Sequence, residues 1–328
     1  DLGRTLQVAD LLLTMAEING HPAHRALGLM AKAHARSYGG LGEYAYAIQL
    51  LDEAADIYAG LDRPVDQARS QIAKVWLLAL LGRYEESLST GQWASDILED
   101  NEEWLLLAKM SSNLGLVNFR LGRDDVSLAL YDKTKALYQR LSDDPVAQRA
   151  LGRVEQNRSE ALRNLGRFDE SIETSRAALE ILVRTGQSAD AARARQNLGV
   201  TYFCLGRYNE ALDLFDQARD FFIADGRHRD AILVELFTSD CLLQTRRFAD
   251  VLAKCNQVRE RFTELGMRLE VGQAILNEAL AYAGLHRYEE GLESLDQARS
   301  LFQEEGNEVW VALADLETAA FLCRQGRY

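Results

Sequence analysis

One short phrase returns through this chain of 328 residues at a nearly constant spacing. Three of its copies read LGRYEESL, LGRFDESI and LGRYNEAL, and they begin at Leu81, Leu165 and Leu205. We call the glycine of the phrase, or the residue in its place, the marker. A repeat of 20 to 50 residues is typical of a solenoid, in which each unit packs on its neighbours. The markers are Gly3, Gly42, Gly82, Gly122, Gly166, Gly206, Arg246, His286 and Gly326.

The spacing of these markers predicts the repeating unit. Successive markers from Gly42 onward are 40 residues apart, except for one interval of 44, and Gly3 precedes Gly42 by 39. Both flanks of a marker show apolar residues at helical spacing, which indicates a first helix before the marker and a second helix after it. We therefore predict an all-α fold of antiparallel helix pairs, about eight hairpins in a single domain over residues 1–328.

Small residues recur at fixed distances from the marker, and they carry a family resemblance. In one copy Gly199 lies in the first helix, Gly206 in the turn, and Ala211 and Ala218 in the second helix. This pattern resembles the tetratricopeptide repeat over essentially the whole chain, although the unit is longer than usual. The long repeat is similar to the arms of bacterial CHAT-domain (caspase-like) proteins, Rap-type peptide sensors and kinesin light chains. The resemblance implies a right-handed superhelical solenoid whose first helices line a concave groove.

Composition restricts the kinds of partner. The formal net charge of −13 disfavours nucleic acid and anionic membrane surfaces, because both attract basic proteins. The four cysteines form no CxxC pair, and the sequence holds no enzyme signature, so we expect a cytoplasmic binding segment without cofactor, metal site or catalytic residues. The first residue is not methionine, and we expect a segment of a longer protein.

The candidate peptide-binding residues lie on the face of the first helix that is expected to line the groove. Basic residues recur thirteen positions before the marker and asparagines nine before it, and two aromatic residues and an arginine stand three before it. These residues are Arg69, Lys109, Arg153, Arg193, Asn113, Asn157, Asn197, Asn277, Phe119, Arg163 and Phe203.

These residue types suit an extended peptide with acidic side chains. An asparagine amide pairs with a peptide backbone whatever the side chains, and arginine binds carboxylates through two parallel hydrogen bonds. Two plainer interpretations remain open, namely that the basic residues pair with acids on neighbouring helices and that the asparagines serve capping or packing.

Two further patterns lead to alternative hypotheses. Beyond Leu205 the same positions become apolar, which predicts either a surface for a protein partner, including another domain of the same polypeptide, or burial against adjacent repeats. The apolar positions are Leu233, Leu236, Leu276, Leu313 and Leu316. The second pattern is that the sequence starts without methionine and stops at GRY, the first residues of another hairpin turn. It leads to the hypothesis that the chain is a regulatory arm of a larger enzyme, such as a caspase-like protease or a signalling ATPase. A third hypothesis is a purely structural scaffold.

The single interval of 44 residues has a local explanation. The stretch LSDDPVAQRA, from Leu141 to Ala150, holds the extra residues, about one helical turn. Because Ser142, Asp143 and Asp144 precede Pro145, we expect a longer corner there that ends in a helix cap.

Overall fold

The computed structural model of the chain describes residues 2–37 and 41–325, and these residues form sixteen α-helices and no strand. The helices are α1 (Leu2–Asn19), α2 (Pro22–Arg36), α3 (Leu41–Gly60), α4 (Pro64–Leu80), α5 (Tyr84–Asp100), α6 (Trp104–Arg120), α7 (Asp124–Arg140), α8 (Pro145–Asn164), α9 (Phe168–Arg184), α10 (Ser188–Cys204), α11 (Tyr208–Ala224), α12 (His228–Gln244), α13 (Phe248–Glu264), α14 (Arg268–Gly284), α15 (Tyr288–Glu304) and α16 (Glu308–Arg324). The predicted all-α fold of helix pairs is therefore confirmed.

The helices cluster into two compact units, which we call unit 1 (Asp1–Thr185) and unit 2 (Gly186–Tyr328). Even-numbered helices are first helices, and odd-numbered helices are second helices. In unit 1, α4 contacts α6 and α6 contacts α8; in unit 2, α10 contacts α12 and α12 contacts α14. Within each unit the first helices thus form a layer of their own. The single domain over residues 1–328 stays a prediction.

The turn between paired helices explains the glycine of the repeated phrase. Gly82 and Gly206 have φ values of 74° and 73°, in the left-handed region that glycine adopts without steric cost. The next N–H then reaches back into the first helix, as in the bond from Arg83 N to Leu78 O at 2.9 Å. This is the Schellman ending of a helix. Arg246 and His286 take the same conformation with φ of 59° and 61°.

The rest of the phrase opens the second helix. The arginine after the marker pairs with an acid three residues later, on the first turn of that helix, for example Arg167 with Glu170 at 2.6 Å. This hydrogen bond holds the pKa of Glu170 below its usual value. Both side chains are exposed, so the pair adds little to stability.

Small residues let the two helices of a pair approach closely. A Cβ on Gly115 of α6 would lie 2.6 Å from the Tyr131 ring of α7, and one on Gly199 of α10 would lie 2.6 Å from the Phe215 ring of α11. In another such contact Ser127 Oγ of α7 donates to the Gly115 carbonyl of α6 at 2.8 Å. The small residues of the repeat are therefore contact points between the paired helices.

Two of the predicted markers are wrong. Gly3 lies inside α1, and Gly42 is the second residue of α3. The corner after each second helix gives the phase of the repeat more reliably, since Gly186 and Gly226 have positive φ and stand 20 residues after their markers. The first such corner in the described part of the chain is Gly20 with φ 63°, so α1 is a second helix and Gly3 lies within it. Gly326 lies outside the described residues.

The long interval lengthens a helix more than a corner. The helix α8 has 20 residues, whereas α6 and α10 have 17. The corner before α8 spans residues 141–144, one residue more than the corners at 101–103 and 185–187. As expected, Asp144 caps α8, with Oδ1 accepting from Val146 N at 2.6 Å. The expected longer corner is thus only one residue longer.

Replacing Arg246 by glycine should stabilise unit 2. A non-glycine residue in the left-handed region costs on the order of 1 kcal/mol, and we expect the free energy of unfolding in urea to rise by about that amount. Arg247→Gly is the matched control, because Arg247 has φ −86° and gains nothing from glycine. Equal or opposite shifts for the two variants would contradict the strain at Arg246.

Candidate functional site

Charge divides between the two helix types of unit 1. Its first helices α2, α4, α6 and α8 hold eleven Lys and Arg residues and three Asp and Glu residues. Its second helices α1, α3, α5, α7 and α9 hold six Lys and Arg residues and eighteen Asp and Glu residues. In unit 2 the first helices hold five basic and nine acidic residues. An excess of positive charge on first helices therefore belongs to unit 1, in a chain that is acidic overall.

Three of the predicted basic residues share one position on the first helices of unit 1. Arg69 of α4 and Arg153 of α8 are exposed, and Lys109 of α6 is half-buried. None of the three forms an ion pair with any residue in the described part of the chain. By contrast, Lys74 and Arg158 lie elsewhere on α4 and α8 and pair with acids of the preceding second helix.

Those ion pairs explain why Lys74 and Arg158 are not available to a ligand. Lys74 Nζ lies 2.6 Å from Asp52 Oδ1, and Arg158 Nε lies 2.5 Å from Asp132 Oδ1. The interpretation that basic residues only pair with neighbouring acids thus applies to Lys74 and Arg158 and not to Arg69, Lys109 and Arg153.

Arg193 holds the same position in α10 of unit 2, but its surroundings differ. Its guanidinium lies 3.9 Å from Asp190 and 3.9 Å from Asp230 of α12. The acids near Arg193 weaken its attraction for an acidic ligand.

Two of the predicted asparagines, Asn113 and Asn277, connect neighbouring first helices. Asn113 Nδ2 of α6 donates to the Ile72 carbonyl of α4 at 2.7 Å. Asn277 of α14 is buried, and its Nδ2 donates to Ser239 Oγ at 2.9 Å and to Asp240 Oδ1 at 2.6 Å in α12. The idea that Asn277 lines an accessible groove is therefore wrong, because packing consumes its amide. Asn157 and Asn197 are half-buried on α8 and α10.

The three predicted residues that stand three before a marker, Phe119, Arg163 and Phe203, are half-buried. Phe119 packs beside the core of unit 1, and Arg163 of α8 forms no ion pair with a described residue. In unit 2 the ring of Phe203, near the end of α10, lies 5.7 Å from that of Tyr208, the first residue of α11.

The sequence patterns missed two residues on the first-helix layer of unit 1. The guanidinium of Arg120, in α6, lies 5.0 Å from the ring centroid of Trp76, in α4. Such a contact is a cation–π interaction. Within unit 1 each residue type occurs in one copy only at its repeat position, so periodicity gives no signal for them. An isolated tryptophan and a basic residue two before the marker are the hints in the sequence.

Some of the apolar positions of unit 2 are buried against adjacent repeats, which is one of the two alternatives that the sequence left open. Leu236 and Leu276 are 7% and 4% exposed, inside the core of unit 2. Leu233 and Leu313 are half-buried against the same core, whereas Leu316 on α16 is 65% exposed. Adjacent repeats therefore cover Leu236 and Leu276, which leaves them unavailable to a partner.

Within the described part of the chain, every helix is too short or too polar for a bilayer crossing.

The comparisons with known proteins agree with the geometry. Residues 150–224 match the family model of the tetratricopeptide repeat. No curated protein sequence gives a significant match to the chain. The chain has the fold of tetratricopeptide-like repeat proteins, as the sequence predicted.

Three solved structures illustrate that fold. Aspartyl phosphate phosphatase F from Bacillus subtilis has a TM-score of 0.65 at 12% identity, over 90% of this chain and 75% of that one. A signal transduction ATPase with a tetratricopeptide repeat sensor, from Pyrococcus horikoshii, has a TM-score of 0.64 at 11% identity, over 99% of this chain and 53% of that one. The Rap conjugation gene regulator of plasmid pLS20, in complex with the Phr* peptide, has a TM-score of 0.52 at 12% identity, over 90% and 95%.

The contact between Asn277 and Asp240 gives a prediction on stability. Burial raises the pKa of Asp240 to about 6, and the hydrogen bond from Asn277 opposes this only in part. Because the folded pKa exceeds the ordinary value, ionisation of Asp240 lowers the stability of the native state as the pH rises from 4 to 7. Asp240→Asn removes this loss, so its advantage over the parent protein should grow across that range by at most about 3 kcal/mol.

Urea unfolding at several pH values measures this difference. The control is Asp213→Asn, at an exposed position of α11, which should leave the pH dependence of the parent unchanged. A constant difference between Asp240→Asn and the parent would contradict a buried, titrating Asp240.

Proposed function

We propose that the chain is a protein- or peptide-binding module, and that the first helices of unit 1 bind an extended segment carrying carboxylates. The observation that favours this most is the row of Arg69, Lys109 and Arg153, three basic side chains at equivalent positions with no acid paired to them. Neighbouring acids neutralise Lys74 and Arg158 but leave this row for an external partner.

The surroundings of the row suit a peptide more than a small anion. Phe119 and Trp76 offer partly exposed aromatic surface on the same helix layer, and Arg120 is held over the Trp76 ring. Aromatic and arginine side chains are the residues that contribute most to protein interfaces. An acidic segment with interspersed apolar side chains fits this combination, and electrostatic attraction would raise its association rate.

The structural neighbours support a binding role without defining the partner. The Rap regulator of plasmid pLS20 was solved with the Phr* peptide, and its fold resembles that of this chain at 12% identity. At such low identity the ligand does not carry over, so the acidic preference rests on the residues of unit 1.

Reversing the charge of the row should weaken the binding of acidic peptides. We expect Arg69→Glu, Lys109→Glu and Arg153→Glu together to lower the affinity for a labelled Glu-Gly dodecapeptide by roughly tenfold or more, about 1.4 kcal/mol. The dependence of affinity on salt should also flatten, because fewer charges are screened. Fluorescence anisotropy at low and physiological salt measures both effects, with a Lys-Gly dodecapeptide as the negative probe.

The matched control changes the net charge equally at three other exposed positions. Arg123, Arg184 and Arg229 lie off the row and form no ion pair with a described residue. If the control triple weakens binding as much as the row triple, the attraction comes from overall charge and the proposed surface is wrong. Unchanged binding by the row triple would also reject it.

We also propose a second candidate, a regulatory arm within a larger enzyme. The fold resembles the signal transduction ATPase that contains a tetratricopeptide repeat sensor, and the chain spans 53% of that protein. The coding sequence on both sides of this segment tests the idea: an adjoining ATPase or caspase-like domain supports it, and a gene without any catalytic domain contradicts it.

A further inference from the structure

A polar notch lies on the second-helix side of unit 1, away from the basic row. It has a volume of about 480 Å³ and is formed by α3, α4 and α5. Its lining includes Asp52, Asp56, Gln71, Lys74 and Trp93. None of these residues belongs to the proposed peptide surface, so the notch needs an explanation of its own.

Three groups in the notch have no partner among the described residues. The indole of Trp93 is 39% exposed on α5, and the Asp56 carboxylate is exposed on α3 without an ion pair. Gln71 is 4% exposed and its Nε2 donates to Ser70 Oγ at 2.9 Å, while no described donor reaches its Oε1. Because Gln71 lines the notch, its amide oxygen is a group to which a ligand donor could hydrogen-bond.

The charges of the notch and of its surroundings select the sign of the ligand. Lys74 Nζ is already bound to Asp52 at 2.6 Å, so this ion pair is internally neutral. Asp56 is then the uncompensated charge of the notch. The helices α3 and α5 together hold nine acidic residues and no Lys or Arg. A cationic group is attracted here, whereas an anion is repelled.

From this arrangement we propose that the notch binds an arginine side chain of a basic protein segment. The planar guanidinium would stack on the Trp93 ring, donate to the Gln71 Oε1 atom and pair with the Asp56 carboxylate. Arginine suits all three contacts, because it is flat, carries five N–H donors and stacks on aromatic rings. A lysine ammonium would make the ion pair but would lose the stacking.

The proposal gives the two sides of unit 1 ligands of opposite charge. An acidic segment would bind the first helices and a basic segment would bind the notch between second helices. The two contacts are independent, since neither uses a residue of the other.

Nuclear magnetic resonance of the tryptophan indole groups tests the notch. The chain has four tryptophans, and Trp93→Phe assigns the signal of Trp93. We expect a capped Gly-Arg-Arg-Gly peptide to shift the Trp93 signal in a saturable manner and to leave the Trp76 signal in place. The capped Gly-Lys-Lys-Gly peptide should bind roughly fivefold more weakly, because it lacks the stacking, and Gly-Glu-Glu-Gly should give no shift.

Variants separate the notch from the general acidity of the surface. Asp56→Asn should lower the affinity for the arginine peptide roughly fivefold, and Gln71→Leu should lower this affinity as well. The control Asp100→Asn removes an equal charge from the exposed end of α5. Thermal unfolding of each variant verifies that it remains folded.

Three results would overturn the proposal. They are an unchanged Trp93 signal at saturating arginine peptide, equal weakening by Asp56→Asn and Asp100→Asn, and equal affinity for the arginine and lysine peptides. If Gln71→Leu fails to fold, Asp56→Asn and the lysine peptide still decide the outcome.

Discussion

The close approach between each first helix and its second helix is the contact on which the rest of the structure depends. It requires a residue without a bulky side chain where an aromatic ring crosses, as at Gly115 under Tyr131 and Gly199 under Phe215. Because this contact fixes the rotation of a first helix about its own axis, it also decides which side chains face outward from the layer. A one-residue change of phase in one of these helices would rotate its basic side chain by about 100° away from those of the other two.

The same rotation accounts for the separation of charge in unit 1. Residues that face the preceding second helix, such as Lys74 and Arg158, meet acids and are neutralised. Arg69, Lys109 and Arg153 form no ion pair with a described residue, so their charge stays available. Second helices carry the acidic surface. An acidic protein thereby presents a local excess of positive charge on the first helices of unit 1.

Much of the fold can be read from the sequence, and the limits have physical causes. The turns at Gly82 and Gly206 were predictable, because only glycine adopts the left-handed conformation without strain and it recurs in phase. Gly3 was misread, since a lone glycine is also tolerated inside a helix and Gly20 defines the phase. The basic row followed from periodicity, but the partners of Asn277 depend on tertiary neighbours. Trp76 and Trp93 do not recur from repeat to repeat, so only the structure reveals their contacts.

Hydrogen exchange with and without the Glu-Gly dodecapeptide tests the central claim, that the first helices of unit 1 form one binding layer. The account predicts slower exchange in α4, α6 and α8, with α5 and α7 unchanged. Protection confined to the second helices, or spread evenly over both helix types, would contradict it.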